Sequence, residues 1–152
     1  MVETVLCYLI KDNKVLFLLR NKKKNDINQN KYIGVGGHIE INENKEQALL
    51  REVKEETGLT LLDYIYHGEI IFSYDDNKEK MHLFSSSCFV GEEIICDEGE
   101  LHWVNKEDIM SLPLWEGDKY FLPLLLNNET NIKLTLVYKN VQLIDVIKNR
   151  DN

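Results

Sequence analysis

The chain has 152 residues, 43% of them hydrophobic and 29% charged, enough for one ordinary domain with a core of its own. A net charge of −8 and a pI near 5.0 argue against duplex nucleic acid or a membrane surface as partner, because either would demand a basic patch against phosphate. Cys7, Cys88 and Cys96 are odd in number and form no CxxC pair, so reduced thiols are expected rather than a disulfide framework or a zinc site. The start Met1-Val2-Glu3 has no basic leader, and no apolar run reaches the roughly 18 residues of a membrane span, which points to a soluble, cytoplasmic protein.

In chain order, Thr4 to Ile10 and Lys14 to Arg20 read as two strands joined by Lys11-Asp12-Asn13, a tight hairpin turn. The polar stretch from Asn21 to Asn30 carries Lys22, Lys23 and Lys24, either a solvated loop or a phosphate-facing cluster, with Lys23 the candidate ligand contact. Lys31 to Val35 predicts a short strand entering Gly36-Gly37. Asn44 with Gln47 makes a capping box and Gly58 supplies a left-handed stop, so one helix is expected from about Lys45 to Thr57. Leu61 to Tyr74 and Lys80 to Val90 follow as paired strands around Asp75-Asp76-Asn77. A strand at Leu101 to Val104, a helical turn at Lys106 to Ser111 and a helix around Lys119 to Leu126 come next. Pro123 predicts that this last helix starts later or kinks. Ile132 to Tyr138 and Val141 to Ile147 close the chain as a hairpin turning at Tyr138-Lys139-Asn140. No repeat or linker marks a second domain.

The chemistry concentrates in Gly37-His38-Ile39-Glu40-Ile41-Asn42-Glu43 and, seven residues on, Arg51-Glu52-Val53-Lys54-Glu55-Glu56-Thr57-Gly58-Leu59. On a helix turning about 100° per residue, Leu49, Leu50 and Val53 define the core-facing arc, and Glu52, Glu55 and Glu56 share the arc beside it. Three half-shielded carboxylates repel one another and ask for a cation. Hard oxygen donors without histidine or cysteine point to Mg²⁺ or Mn²⁺. Arg51, beside Glu55 and within reach of Glu43, is expected to orient acids through charge-assisted bonds. A Glu-rich solvated helix would also place three acids on one face. The fixed Gly37, Glu43, Arg51 and Gly58 set that reading aside, since such a match arises by chance on the order of 10⁻⁶.

From Gly37 to Leu59 the chain resembles the Nudix hydrolases, matching the Nudix box at every specified position. The resemblance implies an α/β/α sandwich around a central mixed β-sheet, and hydrolysis of a nucleoside diphosphate linked to a further group. It implies Glu52, Glu55 and Glu56 as metal ligands, with a backbone carbonyl of Gly36 or Gly37. In relatives of the MutT type a later acid completes the site. The matching segment is Cys96-Asp97-Glu98-Gly99-Glu100, where Glu98 is expected and Glu100 is the runner-up. Glu55 or Glu98 would take the proton of the attacking water.

Leu101-His102-Trp103-Val104, Pro113-Leu114-Trp115-Glu116-Gly117-Asp118 and Phe121 to Leu126 extend the similarity to MutT-type enzymes that act on oxidised purine triphosphates such as 8-oxo-dGTP, releasing monophosphate and pyrophosphate. By that likeness Trp115 stacks on the base and Asp118 bonds its edge, with Phe72 and Tyr74 as a wall. Trp115 as a core aromatic and Asp118 as a helix N-cap are the alternatives. Ile33 stands where relatives place a purine-reading asparagine, which implies a broader or different preference. ADP-ribose, a dinucleoside polyphosphate or a capped RNA end are the other substrates the family implies. A silent nucleotide-binding module is the remaining reading, and the intact set of box acids argues against it.

Overall fold

A computed structural model describes residues 1–22 and 26–149; Lys23, and the loop expectation attached to it, lies outside the described residues. Strands β1 (Val2–Lys11) and β2 (Lys14–Leu19) form the expected hairpin, with Asp12 and Asn13 both at positive φ as a two-residue turn of right-handed strand twist demands. The stretch expected as one strand at Lys31 to Val35 is two. β3 (Tyr32–Ile33) pairs with β2, and β4 (Val35–His38) crosses to pair with β1. Gly34 sits at the break, where an added Cβ would lie 2.9 Å from the Tyr8 ring.

Helix α1 (Lys45–Thr57) has the expected bounds, with both halves of the Asn44–Gln47 capping box in place and Gly58 at φ 82°. The long strands β5 (Leu59–Tyr74) and β6 (Asn77–Gly91) pair antiparallel. β7 (Glu100–Asn105) adds to β2, a 3₁₀ turn spans Lys106–Ser111, and β8 (Ile132–Lys139) and β9 (Gln142–Lys148) make the last hairpin. Its turn is at Asn140 and Val141, both at positive φ, two residues beyond the expected start.

Helix α2 (Asp118–Leu126) corrects the expectation drawn from Pro123: it starts earlier, not later, and runs through the proline. The segment Trp115 to Gly117 winds directly into it, because the amides of Asp118, Lys119 and Tyr120 each donate to the carbonyl three residues back. Burial of Phe121, Leu122 and Leu125 compensates the bond that Pro123 cannot make. Gly117 is therefore the N-cap, and Asp118, an alternative N-cap in the sequence, lies inside the first turn with its side chain buried.

Strand order is β3-β2-β1-β6-β5-β8-β9, with β4 added to β1 and β7 to β2; β1–β6 and β5–β8 are parallel. Alternation along the strands divides the core into two layers. Val5, Cys7, Leu9, Leu16 and Leu18 pack with Leu49 and Val53 of α1, whereas Tyr8, Val15 and Phe17 pack with Phe121, Leu122 and Leu125 of α2. The expected α/β/α sandwich with a central mixed sheet is what the chain adopts. Leu50 departs from its assignment: it is 42% exposed, so Ala48, Leu49 and Val53 carry the buried face of α1.

Candidate active site

Glu56 is the buried acid of α1, 8% exposed, and accepts a hydrogen bond of 2.7 Å from the Gly36 amide of β4. That bond requires the helix to lie close over the double glycine. The contact is so near that a Cβ on Gly37 would fall 2.6 Å from a Glu52 carboxylate oxygen. Burial pushes the Glu56 carboxyl up to about 9, and a hydrogen bond with Glu98 and the charge of Glu98 push the same way. Glu52 is raised too, by burial first, with the Arg51 guanidinium pulling against it. Glu55 is different: its side chain is 59% exposed and stands at the rim.

Arg51 gathers the acids. Its guanidinium grips Glu43 through Nε and Nη2 at 2.7 and 2.8 Å, reaches Glu52 at 2.7 Å and Glu55 at 3.3 Å, and donates to the His38 carbonyl at 3.0 Å. The Glu43 carboxyl is consequently held down at about 2, by its bond to Arg51 foremost. Glu100 is not part of this constellation; it accepts from Asn21 and faces His102.

Among the described residues no three such side chains enclose a point where an ion would sit, because Glu52 is turned to Arg51 and Glu56 to Gly36. The residues nonetheless fit a divalent cation. Glu52, Glu56 and Glu98 border one pocket as hard oxygen donors, and a cation there would relieve the like charge that raises Glu56.

Two cavities meet at these acids. A smaller one, about 310 Å³, is bordered by Glu52, Glu55, Glu56 and Glu98 with Cys96 and Asp97. The larger, about 560 Å³, runs from Gly36, Gly37, Glu52, Glu56 and Glu98 to Phe72, Trp115 and Asp118 on the other layer, with Ile33 and Met81 between. Trp115 is 6% exposed, and Phe72 and Tyr138 meet it edge-on at 5.7 and 5.3 Å. Tyr74, expected as a second wall, does not border the cavity; it stacks on Phe72 at 6.1 Å. Asp118 is pushed up to about 7 by burial, against the opposing pull of Lys31.

Three cavity residues were not singled out in the sequence. Arg20 ends β2 and bonds both Asp26, at 2.8 Å, and Glu98, at 3.4 Å. Asn28 accepts from the Trp115 indole at 2.7 Å. Tyr8, wholly buried, has a hydroxyl without an acceptor among the described residues. An arginine closing a strand beside the acidic loop was the one available hint; the other two are visible only after folding.

A mixed sheet between helical layers, with an acid-bearing helix laid across a double glycine, defines a site of the Nudix class. The family model described as the NUDIX domain matches residues 2–125, and the chain belongs to that family. Among curated relatives, the oxidized purine nucleoside triphosphate hydrolase of Danio rerio is 33% identical over 132 residues, covering 86% of this chain and 82% of that protein. The uncharacterized Nudix hydrolase YvcI of Bacillus subtilis (strain 168) is 26% identical over 138 residues, covering 87% and 84%. A mutator MutT protein from Bacillus halodurans shares the fold with a TM-score of 0.86 at 23% identity over 97% of both chains. The Nudix domain of Shewanella oneidensis NrtR, solved with ADP ribose, superposes with a TM-score of 0.66 at 17% identity, covering 84% and 88%.

Proposed function

We propose that this chain is a Mg²⁺-dependent pyrophosphohydrolase of purine nucleoside triphosphates, oxidised ones such as 8-oxo-dGTP included. One observation carries the reading: a single cavity of about 560 Å³ has clustered carboxylates at one end and an aromatic wall with a buried acid at the other. Glu52, Glu56 and Glu98 would hold the metal with a carbonyl of Gly36 or Gly37, and Glu55 would join them from the rim. When bound, Mg²⁺, or Mn²⁺ in its place, supplies positive charge to the phosphate oxygens and the attacking water.

The residues of the chain do the rest. Arg51 holds Glu52 and Glu55 in register through its anchor on Glu43. Arg20, which borders the cavity beside Glu98, would offer its guanidinium to the phosphates. Glu98, bordering both cavities, takes the proton of the attacking water, with Glu55 the alternative base. Water adds to phosphorus, the bridging P–O bond breaks, and monophosphate and pyrophosphate leave. At the far end Trp115 stacks on the base. Asp118, poised near neutrality, accepts from a guanine edge when ionised and donates to an adenine N1 when protonated. With Ile33 offering no amide, that dual capacity favours a broad purine range.

The test is pyrophosphate release from 8-oxo-dGTP, dGTP, dATP and their ribonucleotides with Mg²⁺, beside ADP-ribose, a dinucleoside polyphosphate and a capped RNA. Highest kcat/KM on a purine triphosphate is expected. A faster reaction with ADP-ribose, or none with any triphosphate, would overturn the reading.

A further inference from the structure

The turn from Asp26 to Asn30 stands between the two ends of the large cavity and is bonded to both. At the aromatic end, the indole N–H of Trp115 donates to Asn28 Oδ1 at 2.7 Å. The Asn28 backbone N–H in turn donates to Asp26 Oδ1 at 3.2 Å, and the other oxygen of Asp26 accepts from Arg20 Nε at 2.8 Å. Arg20 Nη1 then reaches Glu98 at 3.4 Å, and Glu98 is bonded to Glu56. A chain of five side chains and one amide thus links the indole to the acidic pocket.

The turn is a stiff element rather than a passing contact. Asn30 donates to the Arg20 carbonyl at 2.6 Å, Lys31 to that of Asn28 at 2.9 Å, and Arg20 back to that of Lys31 at 3.1 Å. Tyr32 is tied to Pro113, two residues before Trp115, at 2.9 Å. From the other side the Lys31 ammonium lies 5.0 Å from the centre of the indole ring. An indole has one donor, and fixing it fixes the rotation of the ring about its own bond. Phe72 and Tyr138 set the tilt of that ring, and Asn28 sets its direction.

We propose that Asn28 is a positioning residue, and that the 26–31 turn is a bracket setting the base-stacking Trp115 and the acidic loop at Glu98 in one frame. It accepts nucleotides whose base-to-phosphate span fits that frame. The proposal rests on the reading of Trp115 as the base platform.

A double-mutant cycle tests it, measured on whichever nucleotide the substrate panel shows is hydrolysed fastest, so the purine reading can fail while the bracket stands. Asn28→Ala is expected to lower kcat/KM about tenfold in the wild-type background, the loss of one hydrogen bond to a partly buried donor. In the Trp115→Phe background, which keeps a stacking ring without an N–H, the same change is expected to cost less than about twofold. Asn28→Asp retains the acceptor and should recover most of the loss. Equal losses in both backgrounds, no loss in the wild type, or an aspartate as poor as alanine would each overturn the proposal. Should Asn28→Ala fail to fold, Asn28→Ser, too short to meet the indole, takes its place with the same expected losses.

Discussion

At Glu56 burial and like charge act in the same direction on one side chain. A glutamine there would still accept from the Gly36 amide and could donate to Glu98, reproducing the hydrogen bonds of the protonated acid without its ability to ionise. Glu56→Gln is therefore expected to keep the melting temperature while kcat falls at least about a hundredfold, since a metal ligand is lost and packing is not. Near-normal turnover would remove Glu56 from the metal site. Asp118 gives a second test. Its carboxyl ionises near 3.8 when unfolded and at about 7 when folded. Between those values the native state keeps a proton that the unfolded chain releases, so its contribution to stability is full below about pH 4 and is lost as pH rises through 7. Thermal unfolding of Asp118→Asn beside the parent protein should show the variant more stable at pH 8, with the difference shrinking toward zero near pH 4. The acids of the box were legible because their spacing is local. Arg20 and Asn28 were not, since the contacts that bring them to the site, with Glu98 and Trp115, join residues far apart in sequence, and Tyr8 reaches the cavity only through the packing of the sheet.

Helix α1 shows what an element needs in order to be read directly. Both ends are specified by short-range chemistry, the Asn44–Gln47 box and the left-handed Gly58, and neither depends on what the helix packs against. Asn44→Ala should cost about 1 kcal/mol in denaturant unfolding with little change in kcat, because the cap lies at the end away from Glu52 and Glu56. An equally large loss of turnover would mean that the cap also positions the acids. Helix α2 is the contrary case. Pro123 argues locally for a break, yet Phe121, Leu122 and Leu125 find a buried layer, and tertiary packing overrides the local preference. The break at Gly34 has the same origin: two adjoining short strands, of two and four residues, choose different partner strands, a choice with no periodic trace. The wall assigned to Tyr74 failed because alternation gives a face but not how far along the strand the cavity extends.

For the molecule as a whole, the charge of −8 is unevenly tolerated, with the acids of the box gathered where their repulsion is greatest. Mg²⁺ binding only the native state should raise the melting temperature, by the equivalent of about 2.7 kcal/mol at a hundred times its Kd. Calorimetry with and without Mg²⁺ reads this directly, and in Glu56→Gln the increment should shrink. A melting temperature indifferent to Mg²⁺ would count against the site. The layered architecture was legible through the resemblance carried by Gly37 to Leu59, with which the order of strands and the box helix agreed. The parallel pairs β1–β6 and β5–β8 were not, because nothing local distinguishes a strand awaiting a parallel neighbour.

The place of β1 also has a consequence in time. It precedes the other described strands in the chain, and it ends in the middle of the sheet, with β4 and β2 on one edge and β6 on the other. Its register against β6 couples Val2 to Glu79 and Leu9 to Ser86, contacts spanning half the chain. Closing them carries a loop entropy that grows slowly with the distance bridged, and such non-local pairing slows folding. Until residues 77–91 have been synthesised, the strand bearing Val5, Cys7 and Leu9 lacks its β6 partner, and an unpaired edge of that kind is a template for pairing with another chain.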